Sequence, residues 1–240
     1  MKKPIPDQLV VLTFDDGVKS QGTFVAPLLK QYGFGATFFV TEGAQVWGSE
    51  ENYLNWNEVR DLHDAGFEIG NHTQRHHAVS SQSPAELRAE LEHIDGRCAE
   101  YGIPKPETFC YPGYDNCPEA VAVLADWGFR FARRGVHPEY AYCGEGDRGP
   151  AYDPAVHHPL LIPTTGSAGP RWSFEDFLWA LDQARDGRIA VLTFHGVPDL
   201  DHPWVHTEPE MFDRCMKVLD ERGCTVIALR DLARYVDTDS

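Results

Sequence analysis

One four-residue segment, Val-Leu-Thr-Phe, occurs twice in this chain of 240 residues, at positions 11–14 and 191–194. Each copy lies in a short apolar run that is typical of a buried strand. Asp15 and Asp16 follow the first copy, His195 follows the second, and a glycine comes after each. In a parallel sheet or barrel, ligands bind where the carboxyl ends of the strands meet. We therefore expect these three side chains to project onto the same face.

Strand and helix patterns alternate along the rest of the chain, which predicts βα units around a parallel sheet or barrel. The length fits one large α/β domain or two small ones, and we expect a single domain over residues 1–240. Helices are predicted over residues 20–32, 55–66, 83–101, 118–127, from 173 onward and from a Thr207 cap to 223. Strands are predicted over residues 9–14, 36–40, 67–70, 108–111, 129–132, 189–194 and 225–229.

Residues 135–170 depart from this alternation, because they are rich in glycine, proline and aromatic residues. A short strand is predicted at residues 160–162 within them. Long loops of this kind in a compact domain are usually functional or shape a binding cleft. We therefore expect the segment to contribute to a site.

The charge balance restricts the partners. With 21 Lys and Arg against 37 Asp and Glu, the net charge is −16. Nucleic acid and anionic membranes both require a basic surface, so neither is expected as a partner. No signal peptide or membrane span is recognisable, which predicts a cytoplasmic protein. The partner that remains is a small-molecule or carbohydrate substrate, and a homo-oligomer is compatible with the composition.

The six cysteines do not form a CxxC pair, so a cysteine zinc site is not expected. An even number of cysteines would allow disulfides. Because disulfides are rare in the cytosol, free thiols are the favoured interpretation.

His72 and His76 are four residues apart, so on one helical turn or in a tight loop both imidazoles would face one cation. Two histidines and one carboxylate make a three-ligand site with open positions, suited to a metal-activated water. Non-haem iron oxygenases use the same ligand set, but the α/β pattern of this chain favours hydrolysis. One divalent transition metal is expected, with Zn²⁺ favoured and Co²⁺, Ni²⁺ or Fe²⁺ also admitted by the ligand types.

Four segments together resemble the motifs of the polysaccharide deacetylases, the NodB-homology group also called carbohydrate esterase family four. They are TFDDG at 13–17, NHTQRH at 71–76, a proline-containing strand end at 109–115 and LTFHG at 192–196. The resemblance covers about residues 8 to 235. It implies a distorted (β/α) barrel of about seven parallel strands. It also implies a metal-dependent hydrolase of non-peptide C–N bonds, in the first place an N-deacetylase of N-acetylated amino-sugar polymers or oligomers.

The resemblance also assigns roles to individual residues. Asp16, His72 and His76 would hold the metal, Asp15 would be the general base, and His195 would be the general acid. The backbone N–H of Gly113 would stabilise the oxyanion. The neighbouring residues that would complete the oxyanion and substrate region are Tyr111, Pro112 and Tyr114.

Two departures from the family pattern bear on the substrate. Many members carry an arginine that orients the base, at the position where this chain has Cys110. The Asp-Trp motif that supports the catalytic histidine is not recognisable after Phe129, and Arg133 and Arg134 stand in that region instead. These two arginines would either bind a carboxylate or ring carbonyl of the substrate or form a solvated surface pair.

Two alternative functions stay open, the first favoured by the missing arginine, the absent signal peptide and the long aromatic segment 135–170. One is a cytosolic cyclic-amide hydrolase of the allantoinase or imidase type on the same fold, and the other is an inactive carbohydrate-binding relative. Trp204 is expected either to stack on a sugar or ring at the site or to pack on the core. The adjacent His157 and His158 are expected to end a loop rather than to bind metal.

Overall fold

The computed structural model describes residues 2–43, 49–140 and 147–237. Within these ranges eight strands form one sheet, and every pair of neighbouring strands is parallel. The strands are β1 (Leu9–Phe14), β2 (Thr37–Val40), β3 (Glu68–Asn71), β4 (Thr108–Cys110), β5 (Phe131–Arg133), β6 (Gly166–Ser167), β7 (Ala190–Phe194) and β8 (Thr225–Ile227). Seven of them follow the order β5-β4-β3-β2-β1-β7-β6, and β8 pairs with the start of β1. The sheet curls into a half-barrel, which confirms the predicted distorted (β/α) barrel.

Helices surround this sheet and cover its outer face. They are α1 (Ala26–Tyr32), α2 (Trp56–Asp64), α3 (Pro84–Glu100), α4 (Pro118–Trp127), α5 (Phe174–Asp182) and α6 (Pro209–Glu221). Three of them, α2, α3 and α5, begin with the reciprocal side-chain and backbone hydrogen bonds of a capping box, at Asn55, Ser83 and Ser173. None of the helices in the described ranges is both long and apolar enough to cross a membrane.

Three predicted elements differ from the structure. Residues 20–32 do not form one α-helix, because Gln21–Val25 are a π-helical turn that precedes α1. The strand predicted at 160–162 is a 3₁₀ turn over Pro159–Leu161, and only Ile162 forms a bridge, to Arg133. The residue before α6 is Glu208 instead of Thr207, because Pro209 occupies the first helical position without a side-chain cap.

Alternation along the strands decides which side chains reach the site. Leu9 and Val11 of β1 belong to the core cluster inside the curl, and Val10 and Leu12 belong to the cluster under the helices. Because successive strand residues point to opposite faces, Thr13 and then Asp15 continue the inner face. The same alternation in β7 leads to His195.

The two Val-Leu-Thr-Phe segments are anchored through their phenylalanines. Phe14 stacks on Phe38 and Phe194, with ring centroids 5.0 and 5.5 Å apart, and meets the edge of Phe212 from α6 at 5.8 Å. All four rings are completely buried. Burying each ring contributes roughly 1.5–3 kcal/mol, so the strand ends that carry the site are firmly held.

Candidate active site

Two carboxylates and a histidine meet at the carboxyl ends of β1 and β7. The Asp15 N–H donates to the Phe194 carbonyl at 3.0 Å, which extends the pairing of the two strands. His195 Nε2 lies 3.8 Å from Asp15 Oδ2 and 3.9 Å from Asp16 Oδ2. The three side chains are all buried, so the structure brings them together as the two Val-Leu-Thr-Phe segments predicted.

Gln21, in the π-helical turn, joins the same two strand ends. Its Nε2 donates to the backbone carbonyls of Asp15 at 2.5 Å and of His195 at 3.3 Å. A π turn inserts one residue into a helix and is frequent at functional sites. Here the π turn directs the fully buried Gln21 side chain to the bottom of the site. The sequence pattern did not predict this turn.

Asp16 and the two histidines form a three-donor cluster. Asp16 Oδ1 lies 3.4 Å from Nε2 of His72 and 3.4 Å from Nε2 of His76. The histidines reach it from a tight loop after β3 instead of a helix, because Thr73 and His76 have positive φ angles of 63° and 56°. Asp16 itself has φ 72°, which turns its carboxylate away from the strand direction.

The electrostatics of this cluster suit a cation. Burial opposes ionisation of Asp16, but His76 and His72 outweigh it and hold the pKa of the carboxyl well below its ordinary value. Burial lowers the pKa of His76 to about 4, so this ring is neutral at neutral pH. At His72 burial lowers the pKa, but Cys110, Asp16 and Asp15 outweigh it and raise the pKa well above its ordinary value, so an ion must displace a proton from this ring. An ionised carboxylate and neutral imidazoles are the protonation states in which these groups bind metal.

The hydrogen bonding of the cluster also indicates that it can bind a cation. Asp16 Oδ1 is buried and has no hydrogen-bond partner among the described residues. His72 Nδ1 lies 2.7 Å from the Cys110 carbonyl, which can only accept, so Nδ1 carries the proton and Nε2 faces the cluster. A metal-binding histidine typically has such a partner on its second nitrogen. The donor set of one carboxylate and two imidazoles therefore fits a divalent transition metal ion.

Arg133 replaces the missing arginine of the third motif. The side chain is completely buried, and its Nη2 lies 2.6 and 2.5 Å from the two oxygens of Asp15. Burial alone would raise the pKa of Asp15, but the guanidinium overcomes this effect and keeps the pKa below its ordinary value. Asp15 is thus oriented from β5, one strand further along the sheet than Cys110 in β4.

This position rules out both sequence-based interpretations of the arginine pair. Arg133 is neither solvated nor directed at a substrate. Arg134 is also buried, and its guanidinium donates to the backbone carbonyls of Leu161, Gly135 and His137. One signal could have identified Arg133: it follows Phe131 by two residues and so shares the inner face of β5.

Cys110 lies between the two charged groups. Its Sγ is 2.6 Å from Arg133 Nη2 and 3.5 Å from Asp15 Oδ2. Burial raises the pKa of the Cys110 thiol, with Arg133 opposing, so the residue is a neutral thiol. Asp15, His72 and Cys110 are close enough to form a second donor cluster. Because Arg133 already supplies the positive charge there, we assign no metal to it.

The third motif forms a 3₁₀ turn over Pro112–Tyr114 at the rim of the site, in which Gly113 is exposed and has φ 58°. Tyr114 packs its ring 5.5 Å from the Arg133 guanidinium and places its hydroxyl 3.1 Å from Ser167 Oγ. The Tyr111 hydroxyl donates to the Leu160 carbonyl at 2.9 Å. The side chain of Tyr111 is thus committed to the core beside α3 and α4.

The nitrogen of His195 that faces away from Asp15 is unsatisfied. Nδ1 is buried and forms no hydrogen bond within the described part of the chain. This agrees with the absence of a recognisable Asp-Trp motif.

Trp204 lies on the loop after β7 and is 58% exposed, so it does not pack into the core. One face approaches His202, whose Nε2 lies 3.2 Å from the Tyr53 hydroxyl. Asp201 from the same loop accepts from the Ser49 N–H and from Asn52. The loop is therefore tied to residues 49–54, and Trp204 is left accessible at its tip.

The remaining candidates have structural partners. His157 Nδ1 accepts from the Asp153 N–H, and His158 Nδ1 accepts from the Leu160 N–H and caps a 3₁₀ turn. Neither belongs to a donor cluster in the described ranges. The five described cysteines are free thiols, as expected, and Cys143 lies outside the described residues.

Comparisons with known proteins agree with this geometry. Residues 2–132, more than half of the chain, match the family model for polysaccharide deacetylase. A peptidoglycan-N-acetylglucosamine deacetylase of Bacillus cereus is 35% identical over 112 residues, which make up 46% of this chain and 48% of that protein. The chain thus matches about half the length of this curated relative.

Solved structures show the same fold. A family 4 carbohydrate esterase from Streptomyces lividans, in complex with acetate, has a TM-score of 0.57 at 19% identity over 94% of this chain and 93% of that chain. A CE4 family pseudoenzyme from Bacillus anthracis has a TM-score of 0.60 at 17% identity, over 95% and 66%. At such identities the likeness concerns the fold alone. The family match over residues 2–132 shows that this chain belongs to the polysaccharide deacetylase family.

Proposed function

We propose that this protein is a metal-dependent N-deacetylase of N-acetylated amino-sugar polymers or oligomers. One observation carries the proposal: a buried, arginine-held carboxylate and a histidine flank a three-donor metal cluster at the carboxyl end of a parallel sheet. The name of the Bacillus cereus relative, a peptidoglycan-N-acetylglucosamine deacetylase, supports the substrate class.

In this proposal Asp16, His72 and His76 hold the ion. A divalent transition metal bound there supplies Lewis acidity for the amide carbonyl and for the attacking water. We favour Zn²⁺, because mixed imidazole and carboxylate sites that keep an open position are typical of catalytic zinc. Cobalt, nickel and iron suit the same donors.

Asp15 acts as the general base. Because Arg133 keeps its pKa low, Asp15 is ionised at neutral pH and can accept a proton from the attacking water. The water oxygen bonds to the acetyl carbon while the backbone N–H of Gly113, an exposed residue, donates to the developing oxyanion. The C–N bond then breaks, His195 protonates the departing amine, and acetate is the second product.

The two alternative functions have less support. A cyclic-amide hydrolase could have used Arg133 or Arg134 to bind its substrate, but both are committed to partners inside the protein. An inactive relative would be expected to lack part of the catalytic set. Here all five residues assigned by the motifs lie in one cluster.

Acetate release tests the proposal directly. Protein loaded with Zn²⁺ should release acetate from N-acetylglucosamine oligomers and should not open hydantoin or imide rings. Asp15→Asn provides a matched control, because it keeps the shape of the base but cannot accept the proton. Ring opening without acetate release would replace the deacetylase assignment with the cyclic-amide one. Equal rates of acetate release by Asp15→Asn and the wild type would exclude Asp15 as the general base.

A further inference from the structure

A buried polar network lies beneath the catalytic carboxylate and includes a residue from the segment 135–170. Arg133 Nη2 donates to Asp15 and Cys110, and Nη1 donates to Thr164 Oγ1 at 3.1 Å. Nε is buried and has no hydrogen-bond partner among the residues described. The guanidinium is therefore held at its two terminal nitrogens. Nη2 is held by Asp15 and Cys110, and Nη1, on the side away from Asp15, is held by Thr164.

Carbonyl and guanidinium partners fix two of the hydrogen-bond directions at Thr164. Its hydroxyl lies 2.8 Å from the Arg134 carbonyl, which can only accept, so the hydroxyl proton is directed there. The Arg133 Nη1–H has no lone pair to offer, so Thr164 Oγ1 accepts from it. Thr193 Oγ1 lies 3.0 Å from Thr164 Oγ1 and 3.3 Å from Thr13 Oγ1, whose own proton goes to the Leu192 carbonyl. The single Thr193 proton can serve only one of them, and the shorter contact favours Thr164 as its acceptor. The hydroxyl thus donates once and accepts twice, which fully satisfies it in a site with no solvent exposure.

Thr193 connects this network to the general acid. It lies on the inner face of β7, two residues before His195, and is completely buried. One hydroxyl, that of Thr164, therefore contacts both the arginine that orients Asp15 and the strand that carries His195. No motif of the family resemblance includes Thr164.

We propose that Thr164 is a positioning residue that fixes the plane of the Arg133 guanidinium and thereby orients Asp15 relative to His195. This inference rests on the proposed function of the site. Thr164 does not touch the reacting groups, so it acts through Arg133. Without its hydroxyl, Nη1 is left as a buried unsatisfied donor on a charged group, and the guanidinium is held by its Nη2 side alone.

The adjacent Thr165 provides a matched control. It is also completely buried, and its hydroxyl donates to the Pro150 carbonyl at 3.3 Å and accepts from the Val191 N–H at 3.0 Å. Replacing either threonine by valine removes a buried hydroxyl of the same size. Both variants should therefore lose thermal stability, but only Thr164→Val should affect the alignment of Asp15.

The kinetic test compares Thr164→Val, Thr164→Ser and Thr165→Val in acetate release by the metal-loaded enzyme. Thr164→Val should lower kcat about tenfold or more with little change in KM, because small misplacements of catalytic groups are costly. Thr164→Ser, which keeps the hydroxyl, should restore most of kcat, and Thr165→Val should resemble wild type. Equal losses of kcat in Thr164→Val and Thr165→Val would overturn the inference.

A second measurement does not require activity. In protein with ¹⁵N-labelled arginine, restricted rotation should give separate Nη signals for Arg133, assigned from their loss in Arg133→Lys. These signals should broaden or merge in Thr164→Val but stay separate in Thr165→Val. Unchanged signals in Thr164→Val would refute the positioning role. Absence of acetate release by the wild type would instead refute the proposed function, with the NMR comparison still deciding the role of Thr164.

Discussion

Replacing Arg133 by leucine tests how the buried base is held in its charged form. The guanidinium and Asp15 have no effective exposure, and their closest atoms are 2.5 Å apart. Removing one partner of a buried ion pair costs about 3–5 kcal/mol, because the other charge is left without compensation. Since a domain of this kind is stable by about 5–15 kcal/mol, Arg133→Leu should fold but with a strongly reduced free energy of unfolding.

The pH dependence gives the sign of the effect. In the wild type, the pKa of Asp15 is below its ordinary value of 3.8, so the pair stabilises the protein above that pH and the contribution is lost as the pH falls through the lower folded value. In Arg133→Leu the effect of burial, which raises the pKa, is no longer balanced by the guanidinium. The pKa of Asp15 should therefore rise, and its ionisation should cost stability as the pH increases.

Two measurements follow these changes. The acid limb of kcat/KM for acetate release should move to higher pH in Arg133→Leu, and denaturant unfolding at neutral pH should show the loss of stability. Arg133→Lys keeps a positive charge without the second nitrogen that reaches Thr164, so it should fall between leucine and wild type in stability. If the acid limb does not move in Arg133→Leu, the assignment of Asp15 as an arginine-held base is wrong.

Three further predictions concern the rest of the site. His195→Ala should lower kcat by about 10²–10⁴ and leave the bound metal at one ion per chain by elemental analysis, because the acid is not a ligand; joint loss of metal would contradict its role. His72→Ala should lose both the metal and activity, whereas retention of a full equivalent would exclude His72 as a ligand. Trp204→Ala should raise KM for oligomers by roughly twofold to tenfold with kcat preserved, and an unchanged KM would leave Trp204 without a substrate contact.

Local signals in the sequence were sufficient for most of the architecture. Capping pairs such as Ser83 with Glu86 depend on residues three apart, and the structure forms them as predicted. The apolar runs predicted as strands lie in the parallel sheet, except residues 160–162, which form a 3₁₀ turn. Where the prediction was wrong, as at Gln21 and Thr207, the outcome depended on contacts outside the element: Gln21 bonds to two strand ends, and the Thr207 N–H donates to Gly196.

The sequence by itself predicted the βα alternation and the shared face of Asp15 and His195, because both follow from short spacings and from strand alternation, and the family resemblance supplied the set of five motif residues. Tertiary structure alone decided which group holds Asp15. Arg133 lies 118 residues from Asp15 along the chain, and Thr164 lies 31 residues beyond Arg133. Only the curling of the sheet brings β5, Thr164 and β1 to one buried point, where an unpaired charge would be costly and a partner must be found.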